Sequence, residues 1–364
     1  MHNASSAHTM ENPAEPLLFT PEYKQSLETD GFVVIPNIVP DDICDAAAAN
    51  LIESYKLWDE DLCVDNPSYW LQKNRPAGDV HGITRIFGHR QGQWDIRQHP
   101  RVARAFAEYW RVNPDELLTS MDAFNFYNSN FTPRGGRVGS YWCHTDLAAG
   151  STGEVARCAQ GYVTLIDSMG PNDGTLVVWA KGHRIHKRYF ELHPEEAKKS
   201  KDNWYRFPEE FMQRMELDCR EYLSDDDPEK NSPTPVPAKR TCVHAPKGAL
   251  VLWRSATPHM NRPPVKVDGK PDPHHRLVVY VCQAPRKYAT PKDFELRKRA
   301  WETQMQMSHW PGFKRSKIFP KYPRMYTEEN ATKLKPKIDK VYKRIMEDKQ
   351  KLVLTKLGRS LLGV

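Results

Sequence analysis

From Leu117 onward the chain is a series of short apolar runs cut by turn residues. The runs are Ala123–Tyr127, Val138–Trp142, Cys158–Ile166, Thr175–Trp179, Ala249–Trp253 and Leu277–Cys282. Each is short for a helix and suits a buried strand. Gly, Pro, Asn and Asp separate them, as in Gly170-Pro171-Asn172-Asp173-Gly174, because tight turns need their backbone freedom or fixed φ. Many short strands of this kind bury their faces by packing sheet on sheet or by closing into a barrel. The 29 prolines suit such a loop-rich β architecture better than a helical bundle. The runs straddle a charged stretch at about 190–240, which reads as a helical insertion ending in the loop Ser224–Lys239. One mainly β domain over 21–326, carrying this insertion, therefore fits better than two domains. No internal repeat is visible.

Helical additions flank the strand runs. Residues 1–20 read as a disordered tail, and Pro21 to Leu27 as a short helix. Gly31 to Val39 is strand-like and broken by Pro36. Asp41 opens an alanine-rich helix to about Trp58, with an acidic cap. Residues 60–95 read as irregular. Pro100 stands where a helix starts, and Val102 to Trp110 has helical apolar spacing. Residues 327–364 form a basic helical extension.

Composition excludes several classes. Apolar residues at 39% and aromatics at 10% exclude wholesale disorder. No stretch reaches the roughly 18 apolar residues of a membrane span. The first twenty residues lack the apolar centre of a signal peptide, and the C-terminus matches no common retention, peroxisomal or prenylation signal. Seven cysteines are scattered without a paired motif, which reads as free thiols in a reducing compartment. A soluble cytoplasmic protein without a membrane partner is the expectation. The net charge is +7, yet basic and acidic residues interleave nearly everywhere before Lys314. Mixed charge of this kind is a solvated surface, so no nucleic-acid partner is expected. Oligomeric state cannot be read.

The chemistry centres on Tyr141-Trp142-Cys143-His144-Thr145-Asp146. In an extended segment, residues i and i+2 share a side, so His144 and Asp146 can reach one metal. A third imidazole would complete a 2-His-1-carboxylate facial triad, which leaves three open positions on Fe(II). Those positions accommodate a bidentate 2-oxo acid and O₂. Alone the triplet is weak: with 14 histidines, about one is expected by chance. A competing His193-Pro194-Glu195 opens a helical stretch, where i and i+2 diverge. Downstream, the strand run Ala249–Trp253 leads to His259. Seventeen residues later Arg276 begins another strand run. Arginine offers a rigid fork for a carboxylate, although an arginine at a strand end is also an ordinary surface feature. His274 and His275 precede Arg276 and read as a loop pair.

This order of motifs resembles the phytanoyl-CoA dioxygenase family of non-haem iron oxygenases, from about Asp30 to Pro311. Asp30-Gly31-Phe32-Val33-Val34 resembles the family's first strand. Cys158–Gly161, Gly174–Trp179 with Gly182-His183, and Pro246–Leu250 resemble its central strands and turns. Tyr280–Pro285 and Ser308–Pro311 are also similar to segments of fungal and microbial members. The resemblance implies a double-stranded β-helix (a jelly roll, cupin-like) flanked by α-helices. It implies iron held by His144, Asp146 and His259, and 2-oxoglutarate held through its distal carboxylate by Arg276. The implied reaction couples decarboxylation of 2-oxoglutarate to succinate and CO₂ with hydroxylation of a small molecule by O₂. Halogenating relatives lack the carboxylate ligand, so Asp146 argues against halogenation. Three features depart from the family. Its usual Pro-Gly-Ser-His turn is Ala180-Lys181-Gly182-His183, a common serine is Asn261, and the gap from His259 to Arg276 is long.

Further candidates for co-substrate contact are Gln160, Asn125, Asn261 and Tyr127. Asn125 and Tyr127 alternate with Phe124 and Phe126, which places their polar side toward either a cavity or solvent. Trp142 and Trp253 read as core. Substrate shape is expected to be set by the loops 60–95 and 128–137. Two alternatives remain at this point: a hydroxylase of a protein or nucleic acid, and a jelly-roll binding protein without catalysis.

Overall fold

The computed structural model describes residues 15–63, 76, 81–127, 141–200, 203–265, 275–322 and 328–364. The first half contains α1 (Pro21–Thr29), β1 (Phe32–Ile35), α2 (Asp41–Glu53), β2 (Ile83–Thr84), α3 (Gln91–Arg97), α4 (Pro100–Trp110), β3 (Leu117–Thr119), β4 (Phe124–Tyr127), β5 (His144–Thr145), α5 (Gly153–Ala156), β6 (Ala159–Thr164) and β7 (Thr175–Ala180). Then come α6 (His186–Leu192), α7 (Pro194–Lys199), β8 (Tyr205–Arg206), α8 (Glu209–Leu217), β9 (Lys239–Val243), β10 (Leu250–Arg254), β11 (His259–Arg262), β12 (Arg276–Val281), β13 (Gln283–Pro285), α9 (Pro291–Thr303), α10 (Glu328–Lys349) and α11 (Lys356–Leu362). No helix among the described residues is long and apolar enough to cross a membrane.

The strands form a six-stranded sheet, β1-β10-β6-β12-β4-β2, and a five-stranded sheet, β8-β5-β11-β7-β9. All neighbours in both are antiparallel. Period-two alternation sorts the side chains into layers. In β10, Leu250 and Leu252 join the core beneath the helices, while Val251 and Trp253 join a second core. That second core also takes Leu176 and Val178 from β7 and Val243 from β9, so it lies between the two sheets. On the far face of the five-stranded sheet, Val177, Trp179 and Met260 pack with Phe190, Met212 and Met215 of the insertion. The order of layers is helices, six-stranded sheet, five-stranded sheet, insertion.

Several elements differ from the sequence reading. Leu18 and Phe19 are anchored rather than loose, because their N–H groups both donate to Glu108 Oε2 at 2.7 Å and Phe19 is buried. Residues 1–14 lie outside the described part. The segment expected to be irregular contains α3, whose polar sequence hides its role. Trp94 and Ile96 are buried, and buried Arg97 donates to the carbonyls of Gly88 and Asp122. Gly92 lets α3 approach α2, since a Cβ there would stand 2.6 Å from the Ala47 carbonyl oxygen. Pro40, not an acidic side chain, occupies the cap position of α2. The C-terminal extension is no appendage. Ile338, Val341 and Ile345 of α10 and Leu361 of α11 enter the helical core, and the buried Arg297 guanidinium donates to the Leu361 and Leu362 carbonyls.

Candidate metal centre

Register brings the two histidines together. β5 and β11 pair with His144 opposite His259, and His259 also lies opposite Val178. Val178 belongs to the core between the sheets, so His259 projects inward. Asp146 follows β5, anchored by its N–H to the Ser255 carbonyl at 3.0 Å. One ligand atom from each of His144, Asp146 and His259 lies within 4.8 Å of the others. The Asp146 Oδ2 atom is 3.2 Å from His259 Nε2 and 3.6 Å from His144 Nε2. Cis ligands at about 2.1 Å from an octahedral ion lie about 3 Å apart, so small shifts suffice to close the site on a metal.

The surroundings prepare these atoms as ligands. His144 Nδ1 lies 3.0 Å from the Trp142 carbonyl, and His259 Nδ1 lies 2.9 Å from that of Thr257. A carbonyl only accepts, so each Nδ1 carries a proton, which leaves Nε2 as the ring atom available to a metal. Burial, followed by the neighbouring His144, lowers the His259 pKa and keeps that ring neutral. Burial opposes ionisation of Asp146, but the imidazoles of His144 and His259 outweigh it, and the carboxyl sits well below the usual range. Two imidazoles and one carboxylate suit a divalent iron.

Gln160 on β6 donates from Nε2 to Asp146 Oδ2 at 2.9 Å. It therefore orients the carboxylate rather than waiting free for a co-substrate. A cavity of about 750 Å³ opens over the triad. Gln160, Trp253, Asn261 and Tyr280 line its inner part, and Asn261 Nδ2 donates to the Tyr280 hydroxyl at 3.0 Å.

Arg276 starts β12 and is 1% exposed. Both of its terminal nitrogens are buried without a hydrogen-bond partner among the described residues. Its guanidinium lies 5.1 Å over the Tyr162 ring. Tyr162 stands opposite Tyr280 across the strands, and Tyr280 is a cavity residue, whereas Arg276 is not itself among the lining residues. Asn125 and Tyr127 are also absent from that lining, yet both are buried on the inter-sheet face, opposite Val278 and Arg276. The solvent-facing reading of that strand is thus wrong. Asn125 Nδ2 donates to the His81 carbonyl at 2.8 Å.

The other motif candidates are occupied elsewhere. His193 lies 3.2 Å from the Tyr222 hydroxyl in the insertion. His275 lies tilted against Phe126 with ring centres 5.9 Å apart, and His274 lies outside the described residues. Trp253 is buried in the core between the sheets, as read from sequence, and also lines the cavity, whereas Trp142, read as core, is only partly buried and lines it too. Trp142 stacks on His144 with ring centres 4.6 Å apart, a position that its i−2 spacing in an extended run could have indicated. Sequence reasoning also missed two wall segments. Lys199, Asn203 and Trp204 come from the insertion, and Gln306 to Phe319 contribute another stretch. Of the loops expected to shape the pocket, Ile83 and Arg85 reach it, and 128–137 lies outside the described residues.

Fold and site together define a two-sheet β protein with a His-Asp-His cluster, spaced so that it could hold a metal ion, between its sheets. No family model matches the chain. Ava biosynthesis cluster protein O of Aspergillus versicolor is 26% identical over 315 residues, covering 80% of this chain and 88% of that protein. HygX of Streptomyces hygroscopicus, solved with nickel and 2-oxoglutarate, is 14% identical with a TM-score of 0.41, covering 75% of this chain and 89% of HygX. A protein of Salmonella typhimurium LT2 is 15% identical with a TM-score of 0.48, covering 95% of this chain and 83% of that one.

Proposed function

We propose that this protein is an Fe(II)/2-oxoglutarate-dependent dioxygenase that hydroxylates a small organic molecule. The observation that carries the reading is the pairing of the converged triad with a buried arginine whose two terminal nitrogens have no hydrogen-bond partner of good geometry among the described residues. The two facing antiparallel sheets fit a double-stranded β-helix, in which such a site sits between the layers. When bound, Fe(II) with 2-oxoglutarate and O₂ supplies the oxidising chemistry, giving succinate, CO₂ and a hydroxylated substrate. His144, Asp146 and His259 would hold the metal, supplying two imidazoles and one carboxylate. Gln160 fixes the rotation of the Asp146 carboxylate. Arg276 binds the distal carboxylate of 2-oxoglutarate, which satisfies the two nitrogens that the fold leaves bare. The walls of Trp142 and Trp253 exclude water from the reacting face.

Succinate formation from 2-oxoglutarate tests this directly and needs no known substrate. It should require Fe(II) and O₂, and His144→Ala, Asp146→Ala and His259→Ala should each abolish it. Arg276→Lys keeps the charge and loses the fork. The lost charge-assisted hydrogen bond should raise the KM for 2-oxoglutarate about 10- to 150-fold. Metal-independent turnover, or an unchanged KM in Arg276→Lys, refutes the assignment.

A further inference from the structure

The chemistry of the cavity wall away from the metal ligands bears on the substrate. His309 lines the cavity over the triad, and its Nε2 is buried without a hydrogen-bond partner among the described residues. Arg315 donates to Ser151 Oγ at 3.1 Å, and no carboxylate pairs with it among the described residues. Trp310 joins these two groups: its ring centre is 5.1 Å from that of His309 and 5.6 Å from the Arg315 guanidinium carbon. Lys314 lines the same cavity.

Acidic groups do not balance this wall. The carboxylates among the described lining residues are Asp122 and Asp146. Asp146 belongs to the triad. Asp122 Oδ1 already accepts from the Ala123 N–H at 2.7 Å and from Gln306 Nε2 at 2.9 Å, and burial raises its pKa. Burial also depresses the Arg315 pKa, which is the cost of a desolvated cation lacking a counter-charge.

We propose that His309, Lys314 and Arg315 form an anion subsite, and that the primary substrate is an organic acid whose apolar body lies against the tryptophan-lined wall. The assignment of a substrate rests on the oxygenase reading, and Arg276 remains the group for 2-oxoglutarate.

Matched acids and amides test it: benzoate with benzamide, naphthoate with naphthamide, and octanoate with octanamide. Binding is measured by calorimetry on the full chain loaded with Fe(II) and saturating 2-oxoglutarate, without O₂. At least one acid should bind about 10-fold or more tighter than its amide, the effect of one charge-assisted hydrogen bond. Arg315→Gln and His309→Gln should each erase most of that preference, and Lys343→Gln, on an exposed helix position, should leave it intact. If Arg315→Gln does not fold, Lys314→Gln, at an exposed side chain, should still reduce the preference and its salt sensitivity. Equal binding of acid and amide overturns the proposal, as does the absence of binding by every acid. A preference that survives the wall variants but is lost in Arg276→Lys also overturns it, because the acids would then occupy the co-substrate clamp. A chain that prefers acids through Arg315 yet makes no Fe(II)-dependent succinate would sink the oxygenase reading and leave the anion subsite standing.

Discussion

Asp146 must be anionic while mostly buried, and it must point one oxygen at two imidazoles. Gln160 supplies the orientation through a single 2.9 Å hydrogen bond to Oδ2. Residues that orient a metal ligand typically contribute about 10- to 100-fold in metal affinity. Gln160→Ala should therefore weaken Fe(II) binding by about that factor, measured by anaerobic metal titration, with the fold unchanged. Asp146→Gly should remove metal binding and turnover together while leaving the far-ultraviolet circular dichroism spectrum intact, because it deletes a ligand and no core contact. Unfolding of that variant would instead mark the centre as structural.

At the scale of elements, the strand that frames the site depends on how it is launched. Gly248 precedes β10 with φ +76°, and its carbonyl accepts the N–H groups of Ile38 and Val39, each at 3.0 Å. A Cβ there would stand 2.1 Å from the Val39 carbonyl oxygen. Gly150 has a similar φ of +74° but open space around it. The left-handed conformation costs a side chain about 1–3 kcal/mol, and only Gly248→Ala adds a backbone clash. Gly248→Ala should lower the Tm clearly more than Gly150→Ala. Equal losses in thermal melts would mean that the turn relaxes freely. The insertion is a second framing element: β8 pairs with β5 at the metal ligand itself, His144 opposite Arg206, so it contributes to the site as well as to the surface.

For the whole molecule, buried neutral histidines set the acid limit of the fold. Burial pushes His89 down to about 3 and His186 down to about 4, whereas an unfolded chain holds them near about 6.5. Between those values the unfolded chain binds the extra protons. The stability from keeping the rings neutral is therefore fully present above about pH 6.5. It is lost as pH falls toward about 4 for His186 and about 3 for His89, with a slope of about 1.4 kcal/mol per pH unit for each ring. Urea unfolding should show lower stability at about pH 5 than at about pH 7. His186→Gln keeps a donor for the Leu147 carbonyl, which His186 Nε2 meets at 3.0 Å, and removes the titrating ring. Its pH slope should be shallower, and an unaltered slope would remove His186 from this account.

The sequence by itself determined the features that depend on neighbours along the chain. The unbroken apolar runs Ala249–Trp253 and Leu277–Cys282 mark strands buried on both faces, and the i, i+2 spacing of His144 and Asp146 puts both on one side of an extended segment. Short-range stereochemistry is enough for both. What only the tertiary structure decided depends on contacts between distant segments. Strand register sets His259 opposite His144. Burial without a partner distinguishes Arg276 from a surface arginine. Packing of Trp94, Ile96 and Arg97 makes a helix of a polar stretch. The wall formed by Trp204 and by His309 to Phe319 has no periodicity to reveal it, because those residues are gathered by where the chain passes and not by how it repeats.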